Sequence, residues 1–143
     1  MKQIDFAAAV HLPSDEFEAG DLTFACYSLC HVIADVFVRN DPLDAVWRES
    51  NVGLDFTRRA RFRDVADIFV SQQRFIATMQ GLTTTFSTFS DAQFDEAAFE
   101  SELKSDRMPT MMCWYWILKL KARFLSGDYT EALAAAEKAK ALL

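Results

Sequence analysis

The chain has 143 residues, with 15 basic and 21 acidic side chains that give a formal net charge of −6. Apolar residues make up 51% of it, enough for one domain to bury a sizeable core, which excludes an intrinsically disordered chain. The 4 glycines and 3 prolines are too few for an all-β sandwich or a glycine-rich phosphate-binding loop, so the composition favours an all-α fold.

Two helices are predicted in the N-terminal part of the chain. The first covers about 21–39 and is apolar nearly all round, so we expect it to be packed on more than one side. The second covers about 41–60, with Asp41 as its capping residue and Pro42 at its first position, where a missing N–H costs nothing. Gly53 lowers the helix propensity of its middle.

Arginines cluster at the end of this second helix. They could bind an anion, but arginines at a helix C-terminus also complement the helix dipole, and we favour that interpretation. The third predicted helix spans about 64–80, carries one apolar stripe and ends at Gly81. The clustered arginines are Arg58, Arg59, Arg61 and Arg63, and the stripe consists of Val65, Ile68, Phe69, Gln72, Ile76 and Met79 or Phe75.

The segment LTTTFSTFS at 82–90 is rich in hydroxyl and β-branched side chains. A lone strand is not stable, and the sequence offers no second strand to pair with it. We therefore predict an extended loop, held down by Phe86 and Phe89. Ser90 and Gln93 have the spacing of a capping box and are expected to open a short helix.

Two more helices are predicted in the C-terminal part. One covers about 111–125 and is rich in aromatic residues. After a tight turn, an alanine-rich helix follows over 129–143, capped by Asp128 with Glu131 three residues later. Its predicted packing stripe is Tyr129, Ala132, Leu133, Ala136, Ala139 and Leu143.

The order G-D-Y-x-x-A-L from Gly127 onward matches the second half of a tetratricopeptide repeat. The first half fits only with one extra residue in the turn, because the unshifted register would bury Lys119 and Arg123. The predicted fold is therefore all-α, with antiparallel helix hairpins at about 21–60, 63–104 and 109–143 stacked as an irregular tetratricopeptide-like array.

The shifted register also predicts which residues face a partner. Tyr115, Leu118 and Ala122 then take the packing positions, and a different set of side chains lies on the concave side, where such arrays hold their partners. Tryptophan and arginine are enriched at binding hot spots. The candidate protein-contact residues are Trp116, Leu120, Arg123 and Phe124.

Three stretches of the sequence are distinctive: GLDFTRRARFRDVADIFVSQQRFIATMQGLT, FDEAAFE and RMPTMMCWYWILKLKARFLSGDYTEALAAAEKAKALL. They closely resemble the helical region of very large bacterial signalling kinases, which join a serine/threonine kinase, an AAA-type ATPase and a sensor histidine kinase in one chain. In that family the region lies between the ATPase and the GAF and histidine-kinase modules. The resemblance covers about 20–143, whereas 1–19 match poorly, and it implies a tetratricopeptide-like domain that is a fragment of a larger multidomain protein.

No catalytic motif of that family is present in the sequence. The G-x-x-x-x-G-K-[ST] phosphate loop and the H-R-D…D-F-G set are missing, and His31 lacks the His-Glu start of a phosphoacceptor box. The resemblance therefore implies a non-enzymatic interaction or relay module without a cofactor. The alternative is a small-molecule sensor with a pocket lined by Trp114, Tyr115 and Trp116.

Other chemistry-bearing residues have simpler interpretations. Cys26 and Cys30 share a helix face, but His31 lies about 100° away and His11 would have to fold in, so no metal site is expected. Cys113 has no histidine near it in the pattern to act as a base. A group of carboxylates is interpreted as the solvated face of a short helix: Asp91, Asp95, Glu96, Glu100 and Glu102.

The expected partners follow from charge, hydropathy and the resemblance. The negative charge disfavours nucleic acid, because nonspecific binding depends on neutralising phosphates. No apolar run reaches the roughly 18–20 residues of a membrane span, and the first residues lack the signal-peptide pattern, so we expect a cytoplasmic protein. Its partners are expected to be other domains of the parent kinase or another protein, with self-association through the helix at Ala132–Leu143.

Overall fold

A computed structural model describes residues 19–143, with side chains from Leu22 onward, so predictions for 1–18, His11 among them, lie outside it. Within the described part there are six helices and no strand, which confirms the all-α prediction. None of these helices has the length and apolar character needed to cross a membrane. The helices are α1 (Ala19–Val38), α2 (Leu43–Arg59), α3 (Arg63–Met79), α4 (Glu96–Ser101), α5 (Pro109–Leu125) and α6 (Tyr129–Lys140).

The chain forms two compact units, and the boundary between them falls within α3, after Phe69. In the first unit α1 pairs with α2, and in the second α5 pairs with α6, matching the first and third predicted hairpins. The second predicted hairpin, at 63–104, is instead a helix of 17 residues, a long loop and a helix of only 6 residues.

The turn between α1 and α2 differs from its prediction. Asp41 does not cap α2: the N-cap is Pro42, which has no side-chain cap hydrogen bond. The Asp41 carboxylate instead accepts hydrogen bonds from the Arg39 guanidinium. Asn40 has a φ of 58°, a left-handed conformation that asparagine tolerates better than most residues.

The first unit has a tightly packed core beneath α2. Gly53 is buried, and a Cβ built there would lie 2.4 Å from Cε1 and Cζ of Phe69. This position of α2 therefore requires glycine, because Phe69 of α3 lies too close to leave room for a side chain. Tyr27 of α1 packs edge-on against Phe62, with ring centroids 5.6 Å apart. Residues with almost no exposed surface in this unit include Cys26, Ile33, Val46, Thr57, Val65 and Phe69.

Helix α1 is packed less completely than its sequence predicts. Phe24 and Val38 are mostly exposed, although both belong to the nearly continuous apolar surface. In α3 the predicted stripe is buried apart from Met79, which is half-buried. Gly81 ends this region with a φ of +75°, as the C-terminal stop requires.

In the second unit, α5 and α6 form a close hairpin. Ala132, Ala135 and Ala139 are buried, and the thiol of Cys113 lies 3.8 Å from the Ala139 carbonyl oxygen. The predicted stripe of α6 is wrong at its large members, because Tyr129, Leu133 and Leu143 are exposed. Only small side chains fit between helices that approach this closely.

The cap of α6 is confirmed and the capping box before α4 is not. Asp128 accepts a hydrogen bond from the Glu131 amide. The box predicted at Ser90 fails because α4 begins at Glu96, with Asp95 as its N-cap. Asp91 closes a turn of its own by accepting from the Gln93 and Phe94 amides.

The loop at 82–90 is irregular, as predicted. The Thr84 amide donates to the Ser90 carbonyl oxygen at 2.9 Å, which closes the loop on itself. Phe89 is buried and holds the loop down, whereas Phe86 is mostly exposed and does not.

Candidate functional site

The four candidate contact residues on α5 differ in their exposure. Trp116 is only 8% exposed, and Leu120 and Arg123 are half-buried. Phe124 is 59% exposed and is the one member of the set that is mostly available to a partner.

Phe124 instead belongs to an exposed apolar group at the turn between α5 and α6. Its ring lies 5.5 Å from that of Tyr129, measured between centroids, and Tyr129 is 64% exposed. Leu133 follows one helical turn later on the same face of α6 and is 63% exposed. We call Phe124, Tyr129 and Leu133 the Phe124 patch. Its members are large apolar side chains with most of their area in contact with solvent.

The Arg123 guanidinium is hydrogen-bonded within the chain. Its Nε donates to the Ser87 carbonyl oxygen at 3.2 Å, and its Nη1 donates to the Glu131 carbonyl oxygen at 3.1 Å. The Ser87 hydroxyl in turn donates to the Asp128 carboxylate at 2.6 Å. These bonds join the loop after α3 to both helices of the hairpin.

A buried ionic cluster lies between α4 and α5. Lys119 is 1% exposed, and its Nζ lies 2.6 Å from Oε1 of Glu96 and 2.9 Å from Oε1 of Glu100. The Tyr115 hydroxyl also donates to Oε1 of Glu100, at 2.7 Å. The register was shifted in the prediction to avoid burying Lys119, yet Lys119 is buried together with Tyr115. The paired carboxylates make that burial tolerable.

Glu96 is the most connected carboxylate of this cluster. Its Oε2 accepts from the Phe89 amide at 2.6 Å and from the Thr88 hydroxyl at 3.1 Å. Burial raises the pKa of Glu96, but the hydrogen bond and charge of Lys119 together with these donors lower it by more, so the net pKa lies below the usual value. The interpretation of Glu96 and Glu100 as a solvated face is therefore wrong.

Aromatic rings surround the Lys119 ammonium. The ring centroids of Phe89, Tyr115 and Trp116 lie 5.6, 5.8 and 5.8 Å from Nζ. Burial raises the pKa of Tyr115 well above its usual range, and the Glu100 carboxylate raises it further. Through these contacts Lys119 links α4 to α5.

Two of the residues proposed to line a sensor pocket, Tyr115 and Trp116, are packed against other side chains of the chain. Tyr115 is fully buried and contacts the rings of Phe89, Phe99 and Trp116. The Lys138 ammonium lies 4.2 Å from the centroid of the Trp116 ring. These rings are packed against the protein's own side chains, so the sensor alternative gains no support from them.

The other chemistry-bearing residues are dispersed. Cys26, Cys30 and Cys113 are buried free thiols, and burial raises the pKa of Cys30 to about 11. His31 is exposed. Within the part of the chain that the structure describes, no three His, Cys, Asp or Glu side chains come together as metal ligands.

Two arginines of the cluster lie at the C-terminal end of α2 and the other two lie in the connection to α3 and at its start. Arg58 and Arg59 lie in the last turn of α2, and Arg59 pairs with Asp55 one turn earlier at 2.8 Å. Arg61 has a φ of 56° and lies in the turn that leads to Arg63, the first residue of α3.

The ionic cluster predicts how acid changes stability. The pKa of Glu96 is lower in the folded than in the unfolded chain, so below its usual value of 4.5 the unfolded chain binds more protons and the free energy of unfolding falls as pH falls. We expect Glu96→Gln to be less stable than wild type at pH 7. That difference should shrink as the pH drops below about 4.5.

Urea unfolding at a series of pH values between 7 and 3.5 tests this expectation. The matched control is Glu137→Gln, which changes an exposed glutamate of α6. A stability difference between wild type and Glu96→Gln that stays constant over this range would contradict the assignment.

The sequence contains a signal for each half of the cluster, although not for the contact between them. Glu96 and Glu100 are four residues apart and share a helix face, and Lys119 lies in an otherwise apolar run. Sequence spacing alone could not join them, because a loop and a turn separate the two helices.

Comparison with known proteins gave no match: no protein-family model, no curated protein and no solved structure matches the chain. The functional assignment therefore depends on the residues and geometry above.

Proposed function

We propose that this chain is a non-catalytic, tetratricopeptide-like interaction or relay module of a multidomain sensor histidine kinase. The proposal is supported by the all-α fold, by the α1–α2 and α5–α6 pairs, and by the sequence motifs that resemble the helical region of such kinases. The close alanine contacts of the α5–α6 hairpin are those that helical repeats use.

The observation that carries the proposal is the Phe124 patch. A large aromatic or aliphatic side chain gains about 1.5–3 kcal/mol when it moves from water to a buried site. Most of the surface of Phe124, Tyr129 and Leu133 is exposed, so a partner that covered these side chains would gain most of this free energy. Aromatic residues grouped on an exposed helical surface are typical of protein contact sites.

The partner is proposed to be another domain of the parent kinase or a separate protein, with self-association as a further mode. The buried Ala132, Ala135 and Ala139 are already used against α5. Association through α6 would therefore use a different face of the helix, the one that carries the exposed Tyr129 and Leu133.

Sedimentation velocity tests self-association through this patch. We expect the wild-type sedimentation coefficient to rise with concentration, and Tyr129→Gln with Leu133→Gln to weaken association by about tenfold or more per residue, since each loses one buried apolar side chain. Leu82→Gln is the control, because Leu82 is equally exposed but lies outside the patch. A wild-type protein that stays monomeric at high concentration contradicts self-association, and equal association of all variants contradicts the patch.

The relay role requires a separate measurement on the full-length protein. Tyr129→Gln with Leu133→Gln should change the rate of histidine-kinase autophosphorylation, whereas Leu82→Gln should leave it unchanged. Equal rates in all three proteins would contradict a relay through the Phe124 patch, whatever the outcome of sedimentation.

A further inference from the structure

The segment 87–101, which we call the strap, contains the end of the long loop and α4. Helix α4 has six residues and none of them is buried. In the strap, Phe89 is the hydrophobic residue that belongs to the core. Apart from the burial of Phe89 and the ring contact of Phe99 with Tyr115, apolar burial contributes little to holding this segment on the rest of the second unit.

Charged and polar contacts attach the strap instead. Glu96 and Glu100 bind Lys119 of α5, at 2.6 and 2.9 Å. The Asp91 carboxylate accepts from the Arg74 guanidinium of α3 at 2.6 Å. The strap thus has ionic attachments on two helices, and the Lys119 attachment is the more deeply buried one.

The strap covers an aromatic surface of α5. Phe89 and Phe99 of the strap pack on the Tyr115 ring, at centroid distances of 5.7 and 5.1 Å. Glu100 accepts the hydrogen bond of the Tyr115 hydroxyl. Tyr115 is fully buried although its cover consists of a loop and a helix of less than two turns.

Removal of the Lys119 charge would leave two glutamates facing each other without a counter-ion in a poorly solvated site. Breaking a buried ion pair on one side is far more destabilising than losing an exposed one. The side chains of Glu96 and Glu100 are 15% and 24% exposed, and both carboxylates would become fully solvated if the strap left α5. A detached six-residue helix would then unravel, because helices this short are not stable alone.

We propose that the strap is a releasable cover, fastened by Lys119, which opens separately from the α5–α6 hairpin and uncovers the Tyr115 surface. Segments that open locally have few buried apolar side chains and depend on a small number of specific contacts. The strap has one fully buried apolar side chain, Phe89, and its attachments to the helices are mainly polar, to Arg74 and Lys119 and from Ser87 to Arg123 and Asp128. The hairpin, in contrast, is packed through its buried alanines. The uncovered surface would present the Tyr115 ring and the Lys119 ammonium, which suits an acidic segment with aromatic residues like those of the strap itself.

Amide hydrogen exchange on the full chain tests this proposal, with Lys119→Met compared with Lys121→Met. Methionine keeps the apolar stem of lysine and removes its charge, and Lys121 is an exposed lysine of the same helix. In Lys119→Met we expect the amides of Phe89, Phe94 and Ala98 to exchange about tenfold faster or more, with less than about twofold change in 132–140. Lys121→Met should change neither region.

Nitration with tetranitromethane, read by mass spectrometry, tests whether Tyr115 is uncovered. Tyr115 should be nitrated faster in Lys119→Met than in Lys121→Met, with the exposed Tyr129 as the internal reference. Unchanged exchange in the strap overturns the proposal. Equal acceleration in the strap and in 132–140 also overturns it, because the strap would then be part of one cooperative unit.

Glu100→Gln provides a second variant if Lys119→Met does not fold. Glutamine keeps the shape and an acceptor for the Tyr115 hydroxyl, but it removes one of the two charges that hold Lys119. We expect the same local acceleration in the strap at a smaller factor. Acceleration that extends equally to 132–140 in this variant would overturn the proposal as well.

Discussion

Replacement of Gly53 by alanine is expected to destabilise the chain by about 1–3 kcal/mol, the usual range for overpacking a core. Alanine normally favours a helix over glycine by about 1 kcal/mol, so the sign of the effect is opposite to the one that helix propensity predicts. The reason is the 2.4 Å separation between an added Cβ and two ring atoms of the fully buried Phe69. Urea unfolding followed by circular dichroism measures the change.

Two further variants identify Phe69 as the cause. Asn51→Ala changes an exposed residue of the same helix and should be neutral or slightly stabilising. Phe69→Leu removes the ring atoms that the new methyl group would meet. The double variant with Gly53→Ala should therefore be more stable than the sum of the two single changes. Additive effects would contradict the proposed clash.

The second large effect is expected at the α5–α6 contact. Ala135 is fully buried, and Ala135→Leu should destabilise the chain by about 1–3 kcal/mol or more, because the larger side chain forces the two helices apart. Ala134→Leu makes the same chemical change at the neighbouring exposed position and should alter stability by less than about 0.5 kcal/mol. The same denaturation experiment measures both variants.

The comparison of these two alanines also tests the orientation of α6. The sequence predicts a stripe that includes Leu133 and Ala136, whereas the structure buries Ala135 and exposes Leu133. Greater destabilisation by Ala134→Leu than by Ala135→Leu would mean that the helix is rotated about its axis relative to the structure.

The ionic cluster and the Phe124 patch lie at different places on the α5–α6 hairpin. The patch lies at the turn between α5 and α6, where Phe124 and Tyr129 meet. Lys119 and Tyr115 lie further toward the start of α5, under the strap. Ser87 of the strap bonds Arg123 and Asp128 next to the patch. The variants for the two surfaces change different residues, so they can be combined to measure whether partner binding and release of the strap are coupled.

Local patterns account for the parts of the fold that could be predicted. Helical period and punctuation located α1, α2, α3, α5 and α6 to within a few residues, and Gly81 and Asp128 act as the stop and the cap that were expected of them. The loop at 82–90 was predicted because a single strand has nothing to pair with. The capping box at Ser90 failed since Asp91 and Asp95 offered competing caps nearby.

The candidate site could be predicted only in part, because burial depends on which helices meet. Of the four proposed contact residues, Phe124 is mostly exposed, while Arg123 is bonded to Ser87 and Glu131 within the chain. A run such as Trp114–Trp116 has the same appearance in sequence whether it faces a ligand or a core.

The sequence by itself determined that the chain is helical and where most helices begin and end. It also determined that α6 carries small side chains, which allow a neighbouring helix to pack closely. Those features depend on backbone propensity and on the spacing of side chains a few residues apart. The tertiary structure alone decided that Lys119 is buried, that Glu96 and Glu100 hold it, and that Gly53 has no room for a methyl group. Each of these outcomes requires two segments distant in sequence to meet, and the free energy of a buried charge or a close contact is set by what the other segment supplies.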